Sequence, residues 1–220
     1  MGAGEFSTHL FLYLPIGIIG FWRWGVWLFK KICASFYRPI PADALSSSVT
    51  TLAVVTPVYM ENPQIFRRAL NSWQANNPDE IIAVIDQIDK PCIDVFRDFS
   101  AGKPWAKLVV TPKPGKRVAL ADGILEAKSE IVALVDSDAI WAPDVRQKAL
   151  APFRDPYIGG VVTKQHCYNP HTIWQKITDI MWDLRNADEW PSQTAMGKAL
   201  SCLSGRTAFY RREILLPVLD

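Results

Sequence analysis

Glu130-Ile131-Val132-Ala133-Leu134-Val135-Asp136-Ser137-Asp138 reads as a strand that ends abruptly in two carboxylates. A continuous apolar run, without polar alternation, marks a strand covered on both faces, as in a parallel sheet between helices. The stretches before it repeat the theme. Residues 117–127 suit a helix, 107–111 and 81–85 strands, 63–76 a helix with Ile65, Phe66, Ala69, Leu70 and Trp73 on one face, and 51–57 a strand. Strand and helix alternating in this way predict an α/β domain whose mainly parallel sheet carries helices on both faces. Ligands of such sheets bind outside the carboxyl ends of the strands. The residues just after each strand are therefore the candidates for chemistry.

Asp136 and Asp138 stand at one such end, where an apolar sheet is otherwise free of charge. Two anions there suit a hard divalent cation with oxygen ligands, Mg²⁺ or Mn²⁺, whose remaining positions a diphosphate can fill. A solvated turn with Asp138 capping a helix is the plainer alternative. Asp86 closes residues 81–85, where its carboxylate can accept from the imide N–H of a uracil base or simply shape a turn. Thr56-Pro57-Val58-Tyr59 closes the first strand, so its backbone can line a base pocket while Glu61 reaches a ribose. Gly115-Lys116-Arg117 precedes a helix, which sets two cations and a helix N-terminus near any phosphate, or forms a solvated basic turn.

Taken in order, these segments resemble the inverting family 2 glycosyltransferases, in particular the processive membrane synthases of the hyaluronan, chitin and cellulose type. Residues 56–61 look like that family's opening strand, Asp86 like its base-binding Asp, Gly115-Lys116-Arg117 with Ala119-Leu120 like its Gly-Lys-Arg segment, and Asp136-Ser137-Asp138 like its metal motif. Cys202-Leu203-Ser204-Gly205-Arg206-Thr207-Ala208-Phe209-Tyr210-Arg211-Arg212 is similar to the synthases' acceptor-side segment. The resemblance spans residues 51–220. It implies a GT-A fold, a UDP-sugar donor, Mn²⁺ or Mg²⁺, and inversion at the anomeric carbon. It assigns Thr56, Pro57, Tyr59, Glu61, Asp86, Lys116, Arg117 and Asp136 to the donor nucleotide, and Asp138 with Asp136 to the metal. Ser204, Gly205, Arg206, Tyr210 and Arg211 fall on the acceptor side, toward a growing polysaccharide or other glycan.

The family's catalytic base lies in a Glu-Asp or Asp-Asp pair some tens of residues after the Ser-Gly segment, and a Gln-x-x-Arg-Trp motif follows. Neither is found before Asp220, so the base is expected to lie outside this chain, which would carry the donor half alone. Asp179, Asp183 and Asp188 are candidates to replace it, but they read better as the charged face of an amphipathic helix over 172–190, opposite Ile173, Ile177, Ile180, Met181 and Leu184. Terminal Asp220 is a poor candidate. A transferase acting on a lipid or small acceptor, and a membrane-tethered module without catalysis, are the competing expectations.

Residues 10–29 are almost wholly apolar, hold Trp22, Trp24 and Trp27, and include Arg23 as their one charge. About 20 apolar residues suffice to cross a bilayer. A membrane helix is expected within residues 1–38, either spanning or lying in the interface, and contact with membrane lipid follows. Lys30, Lys31 and Arg38 come next, which places the following domain on the cytoplasmic side of the membrane. Residues 39–48, with Pro39, Pro41 and three successive serines, read as a linker to a transferase domain over 49–220. The 220 residues, 49% hydrophobic, suffice for one sizeable core. A net charge of +2 with interspersed signs leaves no electrostatic footprint for a nucleic acid. Cys33, Cys92, Cys167 and Cys202 are far apart and are expected to be reduced and mostly buried.

Overall fold

The computed structural model describes residues 18–40, 50–113, 115–197 and 200–219. Residues 10–17 of the apolar run, most of the expected linker, Val49 and Asp220 lie outside the described residues. By internal packing the chain forms two compact units, one drawn from Met1–Pro39 and Lys164–Ser201, the other from Ile40–Thr163 and Cys202–Asp220.

The first unit opens with helix α1 (Ile18–Ser35). Arg23, Lys30 and Lys31 all fall within its eighteen residues. Among the described residues no helix is long and apolar enough to cross a membrane. The spanning helix expected from residues 10–29 is therefore not found there: of the apolar run only residues 18–29 are described, and the described helix extends into the cations after it.

In the second unit, β1 (Leu52–Val58), α2 (Pro63–Gln74), β2 (Glu80–Asp86), α3 (Lys90–Ser100), β3 (Ala106–Thr111), α4 (Lys116–Glu126) and β4 (Ile131–Val135) follow in turn. A short helix α5 (Val145–Leu150) and strand β5 (Gly160–Val162) come next. The chain returns to this unit as β6 (Thr207–Arg211) and α8 (Arg212–Leu215). The sheet order is β3-β2-β1-β4-β6-β5. Strands β1 to β4 are mutually parallel, as the continuous apolar runs predicted, and β6 lies antiparallel to β4.

Alternation along β1 supplies both faces of the sheet. Leu52 and Val54 pack with Phe66, Trp73, Phe96 and Phe209, while Ala53 and Val55 pack with Ile82, Val84, Ala119 and Ile124. All of these are buried. Helix α2 starts at an Asn62 cap, whose side chain accepts from the Gln64 and Ile65 amides, with Pro63 at the first helical position. Helix α3 is absent from the sequence expectation, although it carries the same signals. Asp89 caps it, Pro91 follows, and Cys92, Ile93, Phe96 and Phe99 are buried at helical spacing.

The first unit is completed by α6 (Ile173–Leu184), a π-helical turn (Arg185–Glu189) and α7 (Trp190–Gly197). Thr172 and Gln175 form a reciprocal capping box at the start of α6. Its charged side is turned to its own unit: Asp179 accepts from the Cys167 amide at 2.8 Å, and His166 Nδ1 stands 3.5 Å from Asp183. Ile173, Ile177, Ile180, Met181 and Leu184 are all exposed. No two cysteines are bridged, and only Cys92 is buried, which corrects the expectation of mostly buried thiols. Cys202 is exposed because it lies in the irregular stretch before β6.

Candidate nucleotide and metal site

A cleft of about 400 Å³ opens at the carboxyl ends of β1, β2, β3 and β4. The chain leaves β1 toward β2 on one side and finds β4 on the other, so the cleft sits where the strand order reverses. Pro57, Tyr59, Glu61, Asp86, Lys116, Asp136 and Asp138 line it, together with Thr111, Lys113, Gly115 and Ser137. These come from segments far apart in sequence, gathered because parallel strands all end on one edge.

Glu61 reaches the metal motif directly. Met60 takes φ 49°, a left-handed conformation that costs a non-glycine residue about 1–2 kcal/mol, and Glu61 follows it. The Glu61 carboxylate accepts from Ser137 Oγ at 2.9 Å and from the Asn62 amide at 2.8 Å. Its backbone is held as well: the Glu61 amide donates to Asp89, and its carbonyl accepts from the Cys92 thiol. Burial, with Asp89 beside it, pushes that thiol up to about 12. The middle residue of Asp136-Ser137-Asp138 thus anchors the motif to the end of β1.

Lys116 Nζ donates to Asp136 Oδ1 at 2.5 Å. Gly115 caps α4 at φ 122° without a side-chain bond to the first turn, and a Cβ there would meet nothing within 4 Å. The first amides of α4 therefore face the cleft uncapped, the arrangement in which a helix N-terminus takes a phosphate. Asp136 is partly exposed and Asp138 exposed. Their oxygens are the hard donors Mg²⁺ or Mn²⁺ uses. Among the described residues no group of three or more His, Cys, Asp or Glu could hold a metal. A cation on Asp136 and Asp138 would complete its shell with diphosphate and water, which fits an open cleft. Asp138 caps no helix, since the chain turns after it and α5 begins only at Val145.

Helix α2 pins the stretch that follows. Trp73 Nε1 donates to the Ala139 carbonyl at 2.8 Å, Ser72 Oγ accepts from the Trp141 amide, and Asn76 Nδ2 donates to the Ala142 carbonyl. Asp86 is buried, and its Oδ1 accepts from the Ile88 amide at 3.0 Å. One of its oxygens therefore shapes the strand-end turn, as the plainer reading had it, while the residue still lines the cleft.

Four expected site residues lie elsewhere. Thr56 is fully buried beneath the lining, with its Oγ1 unpartnered. Arg117 is exposed and outside the lining, because consecutive helical residues diverge by about 100° and Lys116 takes the inward position. Tyr210 and Arg211 are carried to the far end of the sheet. Thr207 pairs with Val135 beside the cleft, but antiparallel β6 runs away from it, so Tyr210 pairs with Val132 and Arg211 with Ile131. The Arg211 guanidinium donates to the carbonyls of Phe153, Asp155 and Ile158. Arg206 stays at the mouth, its carbonyl accepting from the Asp136 amide at 2.9 Å, with Ser204 and Gly205 just before it. Lys113, which the sequence reading passed over, lines the cleft instead of Arg117. Its signal was the third cation in Lys113-Pro114-Gly115-Lys116-Arg117.

A strand-end cleft with paired carboxylates, cations and an uncapped helix N-terminus has the chemistry that suits a phosphorylated ligand with a cation. The chain belongs to a family described as glycosyltransferase like family 2, whose model matches residues 50–219. A type 2 glycosyltransferase from Gibberella zeae is 27% identical over 96% of this chain and 41% of its own length. An N-acetylglucosaminyltransferase from Rhizobium meliloti is 28% identical over 87% of this chain and 48% of its own length. The chain thus spans less than half the length of these relatives. A solved mannosyltransferase from Pyrobaculum calidifontis, in complex with GDP-Man and Mn²⁺, shares the fold, with a TM-score of 0.61 and 22% identity over 89% of this chain and 55% of its own. The fold is α/β and GT-A-like.

Proposed function

We propose that this chain carries the donor half of a glycosyltransferase, binding a nucleoside-diphosphate sugar with a divalent cation for transfer to an acceptor hydroxyl. The observation that carries this reading is the convergence, in one cleft, of Asp86, Lys116 with the α4 N-terminus, and the Asp136-Ser137-Asp138 turn. The names of the relatives agree with it, and the Pyrobaculum structure pairs a nucleotide sugar with Mn²⁺.

Asp86 takes the base, with Pro57 and Tyr59 beside it, and Glu61 is placed for the ribose. Lys116 turns from Asp136 to the diphosphate, where the first-turn amides of α4 and Lys113 join it. Asp136 and Asp138 would hold the cation, which when bound stabilises the charge that grows on the departing diphosphate. We assign uracil as the base, inversion as the stereochemical course and a growing polysaccharide as the acceptor on the resemblance to the synthases. Ser204 to Arg206, beside Asp136, are the acceptor-side residues of this reading, and Tyr210 and Arg211 are not. Asp179, Asp183 and Asp188 are engaged with Cys167, His166 and Lys31, so none is assigned the acceptor's proton.

Calorimetric titration of UDP with Mn²⁺, repeated with EDTA and with Asp138→Ala, tests the reading. UDP is expected to bind with the metal present and to lose at least about tenfold in affinity, or about 1.4 kcal/mol, under either change. Binding indifferent to both EDTA and Asp138→Ala would overturn it. GDP in place of UDP decides the base.

A further inference from the structure

Helix α6 is turned inside out. In a helix packed on a core, the apolar stripe faces the protein and the charges face water. Here Asp179 and Asp183 face the loop at Cys167 and His166, and none of the twelve residues of α6 is buried. At 3.6 residues per turn, Ile173, Ile177, Ile180, Met181 and Leu184 share one stripe, with Trp174 on one flank and Lys176 on the other. Helix α1 of the same unit also exposes apolar bulk, in Phe21, Trp22, Leu28, Phe29 and Ile32.

Charge says what covers this stripe. Each described carboxylate of this unit has a cation, His or amide within it: Asp179 with Cys167, Asp183 with His166, Asp188 with Lys31, and Glu189 with Arg185. Arg23, Lys30 and Lys176 have no carboxylate partner among the described residues. Tryptophan is concentrated here too: Trp22, Trp24, Trp27, Trp174, Trp182 and Trp190 are six of the chain's nine. An apolar stripe flanked by Trp and Lys, on a unit whose uncompensated charge is positive, has the composition of a surface that lies in the headgroup region of a bilayer.

We infer that this unit seats on an anionic lipid surface through the exposed stripe of α6, with the unpaired cations of α1 adding to the attraction, independently of the donor site. Acidic headgroups attract the unpaired cations of the unit at about 1 kcal/mol each, whereas a second copy of the chain would bring the same excess of cations against them.

Co-sedimentation of the full chain, without nucleotide, with phosphatidylcholine vesicles and with mixed phosphatidylcholine and phosphatidylserine vesicles tests this. The chain is expected to pellet with the anionic vesicles, less so at high salt. The double change Ile177→Ser and Ile180→Ser should weaken binding about tenfold or more, while Ile177→Leu with Ile180→Leu should leave it intact. Both positions are exposed, so circular dichroism should be the same for all three proteins. Equal binding by the Ser and Leu pairs would overturn the inference. So would sedimentation equilibrium showing a dimer that the Ser pair dissolves while vesicle binding persists. UDP binding by the same preparations is read separately, so failure of the donor reading leaves this result standing.

Discussion

Glu80 shows how one residue can hold the base of the sheet. Burial pushes its carboxyl up, but Lys107 at 2.9 Å, Ser129 Oγ at 2.7 Å and the amide of Lys128 outweigh burial and hold it below the ordinary glutamate value. A carboxylate lowered in the folded state stabilises the fold above its unfolded value, near 4.5, and loses that contribution as pH falls through the folded value. Denaturant unfolding as a function of pH should therefore show stability falling on acidification below about pH 4.5. Glu80→Gln should flatten that slope and cost about 1–3 kcal/mol at neutral pH, since Lys107 loses its buried partner. An unchanged acid slope would assign the acid sensitivity to other carboxylates.

Among the elements, α4 decides how closely the donor side approaches the sheet. Gly123 faces β1 and β2, and a Cβ added there would clash with Val55 Cγ1 and lie 3.1 Å from Val84 Cγ2, both in fully buried residues. Alanine gains about 1 kcal/mol of helix propensity over glycine, but overpacking a buried contact costs about 1–3 kcal/mol. Gly123→Ala is expected to lower stability on balance and, by lifting α4, to weaken UDP binding, as denaturant titration and calorimetry would read. A more stable protein with unchanged UDP affinity would mean that the sheet gives way without cost. The start of α4 was legible in Gly115-Lys116-Arg117. Which of the two cations turns inward was not, because a helix's rotation about its axis is set by what it packs on.

For the whole molecule, a ligand that binds only the folded cleft must raise stability by mass action, by about 2.7 kcal/mol at a hundredfold excess over Kd. UDP with Mn²⁺ should raise the Tm of the wild-type chain and leave that of Asp138→Ala close to its ligand-free value. An equal rise in both, read by scanning calorimetry, would move the metal site away from the strand-end carboxylates.

The amino-acid sequence by itself determined the parallel sheet and the places where its chemistry stands. Burial on both faces demands unbroken apolar runs such as 131–135, and the charges at their ends then have few reasons to exist. Asp86, Lys116, Asp136 and Asp138 were legible for that reason. The tertiary structure alone decided the direction of β6, which takes Tyr210 and Arg211 from the cleft, and the outward turn of α6. A short apolar run is the same read in either direction, and a stripe of isoleucines does not say whether it meets a core or a surface. Pairing partners and the packing of distant segments settle both, and local sequence encodes neither.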